Sequence, residues 1–268
     1  MAIGALRTRA LSALVLAVPA LAAVYFGAPV FDLMFGAVAL VMAVEWDRLC
    51  AGAKTNDPAS WALFVAVAAV VVAAVLGAAE LALWLAVAGF AATFLIARGV
   101  ERRAPLLQAF GALYIGIPYV ALVWLRADPA HGLATLFWLL AVVWATDTGA
   151  MFAGRSIGGP KLAPVVSPNK TWAGLIGGMA AAALVGIAFA LGLGAPLGLA
   201  ALLSAGLAIV AQAGDLGESM VKRHLGVKDS GALIPGHGGI FDRVDGLLAV
   251  APAWALATFV AGGWGAWP

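Results

Sequence analysis

Charge is scarce in this chain. Only 10% of its 268 residues are Asp, Glu, Lys or Arg, whereas 64% are hydrophobic. The mean hydropathy is +1.04. A soluble globular domain carries about 25% charged and ~45–50% apolar residues, so an ordinary water-soluble domain is excluded. Cysteine is nearly absent. Cys50 stands alone, no intramolecular disulfide can form, and nothing points to an oxidising compartment. Neither a CxxC nor an HExxH pattern occurs, which removes a structural zinc site and a zincin. An excess of base is missing too. The net charge is +2 and no basic run exists, which argues against a nucleic-acid partner.

What remains is apolar sequence, punctuated by Gly and Pro. A helix that crosses a bilayer needs ~20 mostly apolar residues. Nine such spans are predicted, at 10–26, 29–45, 60–77, 80–97, 106–125, 132–147, 172–192, 196–213 and 246–263. The fold class expected is an all-α polytopic membrane protein with about nine transmembrane helices, residues 1–130 contributing the first five and 131–268 the remainder with both long connections. Pro19 to Ala23 imitates a signal-peptidase site, but the apolar stretch runs on to Phe26 and a retained first helix is expected. With the N-terminus inside, 14 of the 15 Lys and Arg fall in inner segments, and Arg126 alone falls outside. That asymmetry follows the positive-inside rule and predicts a cytoplasmic N-terminus and an external C-terminus, with Trp264 and Trp267 at the outer interface.

Two long connections, 148–171 and 214–245, fall on the predicted cytoplasmic side. Long ordered loops are usually functional. The stretch from Gly214 to Gly246 concentrates four Asp, one Glu, two Lys, two Arg and two His. If the eighth helix continues past Gln212, Asp215, Ser219 and Lys222 share one face, with Glu218 beside it. A carboxylate, a hydroxyl and an ammonium on one stripe suit a metal–phosphate group, although the same residues also suit a solvated helix end. Asp215 borders an apolar span, where an ionisable side chain is costly and marks function. Asp147 shares that argument. Gly236-His237-Gly238-Gly239 allows close backbone approach and an anion nest. Asp242 either caps the ninth helix, with Asp245 favourable in its first turn, or joins Asp215 in holding magnesium, which takes one or two carboxylates plus substrate phosphates and water. The 148–171 connection supplies Lys161, Ser167, Asn169 and Lys170, with Thr171 as N-cap of the next helix. Arg98 to Arg103 read as anchors beside anionic head groups. Glu45 and Asp47, beside Trp46, receive no role.

Ser219-Met220-Val221-Lys222-Arg223, Lys228-Asp229-Ser230-Gly231, Pro235-Gly236-His237-Gly238-Gly239 and Asp242-Arg243-Val244-Asp245 together resemble the signature of the phosphatidate cytidylyltransferases. Lys161-Leu162-Ala163-Pro164 and Ser167 to Trp172 also resemble that family. Ala173 departs from it, where many members carry a polar or acidic residue. The resemblance implies that CTP and phosphatidate yield CDP-diacylglycerol and pyrophosphate at the cytoplasmic face of the inner membrane. It implies magnesium at Asp215 and Asp242, with a second cation left open. Lys222, Arg223, Lys228 and Arg243 would neutralise phosphate charge. Asp147, Lys161, Ser167, Lys170 and Ser219 would bind substrate, and Asp229, Asp245 and His237 would position these groups. A homodimer is the assembly this family suggests. The rival readings are a transporter with interfacial carboxylates and a related enzyme acting on a polyprenol or ether lipid.

Overall fold

A computed structural model of the chain describes residues 15, 17–51, 55–231 and 238–262. Among them nine helices form: α1 (Ala17–Phe26), α2 (Val30–Ala51), α3 (Pro58–Val75), α4 (Ala79–Gly99), α5 (Pro105–Ala127), α6 (Gly132–Ser156), α7 (Trp172–Leu193), α8 (Leu197–His224) and α9 (Phe241–Val260). The seven from α3 to α9 are long and apolar enough to cross a membrane. A two-stranded antiparallel hairpin, β1 (Lys161–Ala163) and β2 (Ser167–Thr171), is set between α6 and α7.

Several helices overrun the apolar spans read from the sequence. α2 continues to Ala51, α6 to Ser156 and α8 to His224, and α9 begins at Phe241 rather than 246. Hydropathy reports only the part of a helix that meets hydrocarbon. At 1.5 Å per residue, the 28 residues of α8 span roughly 42 Å against a hydrocarbon core of about 30 Å. Its polar turns therefore have room to extend beyond the lipid while keeping their backbone hydrogen bonds. The connection expected over 214–245 shortens to 225–240, and most of the other becomes the end of α6 and the hairpin.

The chain divides into two compact units. The first comprises Met1–Pro129 with Leu225–Val244. In it α2, α3, α4 and α5 pack on one another. Trp46, 1% exposed, fills the α2–α5 contact. A Cβ on Gly111 would clash with its ring, so only glycine admits the indole there. The Trp46 Nε1 donates to the Leu107 carbonyl at 2.9 Å, and the ring also packs on Tyr114 and Phe241. At one end of these helices Arg102 is buried against Asp57, donating to its two oxygens at 2.8 and 2.6 Å. Asp57 is also the N-cap of α3, accepting from the Ala59 and Ser60 N–H groups. Gln108 donates to Asp47 at 2.7 Å in the same network. Arg126, at the other end of α5, donates to the Val24 carbonyl at 2.7 Å.

The second unit comprises Ala130–His224 with Asp245–Pro268. Here α7 packs on both α6 and α8. Gly174, Gly178, Ala182, Gly186 and Ala190 recur every four residues along its buried side, a spacing that lets helices approach closely in lipid. The core is locked by Trp138, which donates from Nε1 to the Ser204 hydroxyl at 3.0 Å and meets Trp254 edge-on at 4.8 Å.

Candidate functional site

In the second unit the hairpin and the polar end of α8 are tied together. Thr171 caps α7 as expected, its hydroxyl accepting from the Gly174 N–H at 3.0 Å. The register pairs Lys161 with Thr171 and Ala163 with Ser167. Lys170, one residue before the cap, reaches α8 and pairs with Asp215, Nζ to Oδ2 at 2.5 Å. Farther along α8, Arg223 reaches the Val166 carbonyl in the hairpin turn at 3.4 Å. The two stretches singled out from sequence therefore touch at both ends of the polar segment of α8.

Because α8 continues to His224, the stripe expected on it exists. The Ser219 hydroxyl lies 3.4 Å from Asp215 Oδ1, and Lys222 lies 2.9 Å from Glu218 Oε1. Asp245 lies within electrostatic reach of Asp215, Glu218 and Asp147. Gly214 makes this grouping sterically possible. A Cβ there would meet Ala249 Cβ at 2.6 Å and the Asp245 carbonyl at 2.9 Å. A cavity of about 530 Å³ opens among Asp147, Arg155, Lys161, Asn169, Lys170 and Asp215. Ser167 lies at the other end of the hairpin register and does not line it.

The arrangement places two hard carboxylates beside three cationic side chains in one cavity. Among the described residues no three Asp, Glu, His or Cys side chains converge as a metal cage. Magnesium needs no such cage, since phosphates and water complete its octahedron. The donor set at Asp215, a carboxylate oxygen ligand with cationic side chains beside it to receive phosphate, fits that ion.

The first unit holds the other half of the signature. Lys228 and Asp229 are exposed, Ser230 is buried, and Arg243 points out from the first turn of α9. Asp242 does not cap that helix in the ordinary way. Its Oδ2 accepts from the Ser230 N–H at 2.9 Å, the Ser230 hydroxyl at 2.8 Å and the Gly239 N–H at 2.9 Å, fastening the connection before α9 from both sides. His237 lies outside the described residues. The carboxylate at the start of α9 comes instead from Glu45, which sequence reasoning passed over. Its oxygens accept from the Ile240 N–H at 3.0 and 2.9 Å and from the Phe241 N–H at 3.2 Å. Glu45 is 4% exposed. An acid buried in an apolar helix is expensive unless it is used, and that signal was present in the sequence.

A model of the cytidylyltransferase family matches residues 7–261, and the chain belongs to that family. It is 43% identical over 249 residues to a phosphatidate cytidylyltransferase of Brucella suis biovar 1, covering 92% of this chain and 90% of the relative. A protein of the same name from Haemophilus influenzae is 44% identical over 168 residues, 58% of each chain. One from Bacillus subtilis is 43% identical over 143 residues, 53% of each. Together with its seven long apolar helices, this makes the chain an integral membrane protein.

Proposed function

We propose that this chain transfers the cytidylyl group of CTP to phosphatidate, forming CDP-diacylglycerol and pyrophosphate for phospholipid synthesis. The observation that carries the reading is the Lys170–Asp215 pair in a cavity also lined by Asp147 and Lys161. It combines a metal-type carboxylate with phosphate-type cations. The names of the relatives support the same substrates.

In this reaction an oxygen of the lipid phosphate attacks the α-phosphorus of CTP. A new P–O bond forms as the bond from the α-phosphorus to the oxygen bridging it to the β-phosphate breaks, and that electron pair leaves with pyrophosphate. The attacking oxygen is already anionic, so no strong general base is required. Catalysis then rests on positioning and charge stabilisation. Lys161 and Lys170 bind nucleotide phosphates, with Asp147 and Ser219 orienting them and Ser167 assigned to the same task on the strength of the family resemblance alone. Lys222, Arg223, Lys228 and Arg243 offset the charge of the triphosphate and the leaving group. Asp229, Asp245 and His237 position these groups, His237 on the strength of the signature alone. Magnesium, assigned to Asp215 and from the signature to Asp242, supplies charge neutralisation when bound. This reading puts the site at the cytoplasmic face of the inner membrane, where a soluble nucleotide meets a lipid held in the leaflet. A homodimer is its expected assembly.

The test is turnover of α-labelled CTP with phosphatidate by the purified protein in detergent, with and without magnesium. Label should enter the lipid extract only with magnesium, and Asp215→Asn should abolish it. No labelled lipid from the wild type refutes the activity. Near-normal turnover by Asp215→Asn, in a protein that still folds, refutes its metal role.

A further inference from the structure

The first unit contains a second cavity, of about 860 Å³, whose arginines have no role in the reading above. It lies between the end of α2, Arg103 and the segment from Leu225 to Gly231. Its walls are mixed in character. Val41, Val44, Leu49 and Val227 supply apolar surface, and Arg48 and Arg103 supply two guanidinium groups. Arg102, next in sequence to Arg103, behaves quite differently. Its side chain is 1% exposed and held by Asp57. Arg48 and Arg103 are both exposed and make no salt bridge among the described residues.

Two carboxylates also line the cavity, Glu45 and Asp229. Glu45 is engaged by the Ile240 and Phe241 N–H groups, and Asp229 pairs with neither arginine. Arg48 has Asp47 within electrostatic reach, but neither guanidinium is ion-paired among the described residues, and both are open to an incoming anion. Arginine holds phosphate through paired parallel hydrogen bonds. The apolar wall would leave a soluble nucleotide poorly solvated but suits an alkyl chain. Ser230 lines the same cavity and donates twice to Asp242. An anion bound here is thus one residue away from a carboxylate of the signature.

We propose that Arg48 and Arg103 form the binding site for the phosphate of the lipid acceptor, with the apolar wall taking the start of its acyl chains. This rests on the acceptor being a phospholipid, as proposed above. It moves lipid recognition into the first half of the chain, to two arginines outside the signature.

The experiment uses the full chain in neutral-detergent mixed micelles, as wild type, Arg48→Gln, Arg103→Gln and Val227→Trp, the last to fill the cavity without touching a charge. Phosphatidate mole fraction is varied at saturating CTP, and CTP at saturating phosphatidate. Losing a charged hydrogen bond should raise the half-saturating mole fraction of phosphatidate by roughly tenfold or more. The half-saturating CTP concentration should not move. Val227→Trp should behave like the arginine variants, and Arg48→Lys and Arg103→Lys should recover part of the loss. Unchanged phosphatidate half-saturation in both Gln variants overturns the proposal, as does an equal rise for CTP. A parallel series adds phosphatidylglycerol. Competition with phosphatidate is expected. Activation of the wild type, lost in the Gln variants while phosphatidate half-saturation stays fixed, would assign the cavity to an accessory anionic lipid and overturn the substrate role. Retention of radiolabelled phosphatidate by wild type and variants is measured without CTP. It reads the cavity even if the wild type makes no product, so failure of this site and failure of the proposed reaction are separable.

Discussion

Replacing Glu45 probes whether the first helices hold the start of α9 through one side chain. The carboxylate makes three contacts below 3.3 Å with two N–H groups that have no partner inside their own helix. Hydrogen bonds to a charged group contribute about 1.5–3 kcal/mol, and a buried donor left without a partner costs about 1–3 kcal/mol. These terms describe the same groups and do not add, so Glu45→Ala should cost about 3 kcal/mol. Glu45→Gln keeps a carbonyl acceptor but loses the favourable charge at a helix N-terminus, and should cost about 1–2 kcal/mol. For a chain of this size, ~3 kcal/mol corresponds to roughly 6–12 °C in the unfolding midpoint. Turnover should fall further than stability does. The first turn of α9 carries Asp242 and Arg243, and a displacement of about 1 Å at a reacting group can cost ~100-fold. Midpoints in detergent, and turnover measured well below them, check both effects. The order expected is wild type, Gln, Ala. If Glu45→Ala melts with the wild type and turns over normally, the carboxylate does not hold the helix and the reasoning fails.

Lys170→Ala removes the cation paired with Asp215 at 2.5 Å and should raise half-saturating CTP by roughly 10- to 100-fold, which a CTP titration reads. Gly214→Ala should destabilise by about 1–3 kcal/mol through overpacking, because its Cβ meets Ala249 and Asp245 below 3 Å. Gly217→Ala on the same helix meets nothing within 4 Å and should melt at or above the wild-type temperature. Thr171→Ala should cost about 1 kcal/mol as a lost N-cap, read as a lowered midpoint. At Asp57, burial pushes the carboxyl up, but the Arg102 hydrogen bonds and the Ser60 and Ala59 N–H groups outweigh it and hold it below its ordinary value. A lowered folded value stabilises the protein above the unfolded carboxyl range, near ~3.9, and that contribution is lost as pH falls through the folded value. The wild-type midpoint should therefore drop more steeply than that of Asp57→Asn as pH falls below about 5.

The membrane-facing part of the fold was legible because lipid imposes a simple demand: long apolar runs with every backbone group satisfied within the segment. Each helix from α3 to α9 overlaps a span read from hydropathy. What hydropathy cannot see is where a helix stops once it leaves hydrocarbon. Hydropathy assigns the polar turns beyond Asp147 and Asp215 to loops, yet Arg155, Ser219 and Lys222 are helical. The hairpin was hidden for a related reason. Its three and five residues include Pro168 and little β-branched sequence, so no alternation marks them as strands.

The site itself was legible in its donors and illegible in its pairings. Asp215, Ser219 and Lys222 could be placed on one stripe by helical periodicity alone. That Lys170 closes on Asp215, or that Glu45 seats on residues 195 positions away, depends on helix packing that no local pattern encodes. Both pairings use a charged side chain at the polar end of an otherwise apolar helix. This follows from the scarcity of charge. With few ionisable residues available, the ends of the helices are where water and head groups can still solvate a charge that finds no protein partner. A partner that is found there holds the charge even where packing shuts water out, as it does around Glu45. The first helices are accordingly more than membrane packing. Through Glu45 they fix the entry to α9, and through Arg102 and Asp57 they brace the same end of their own unit. Substitutions at these positions should therefore register in turnover even though none of them belongs to the signature.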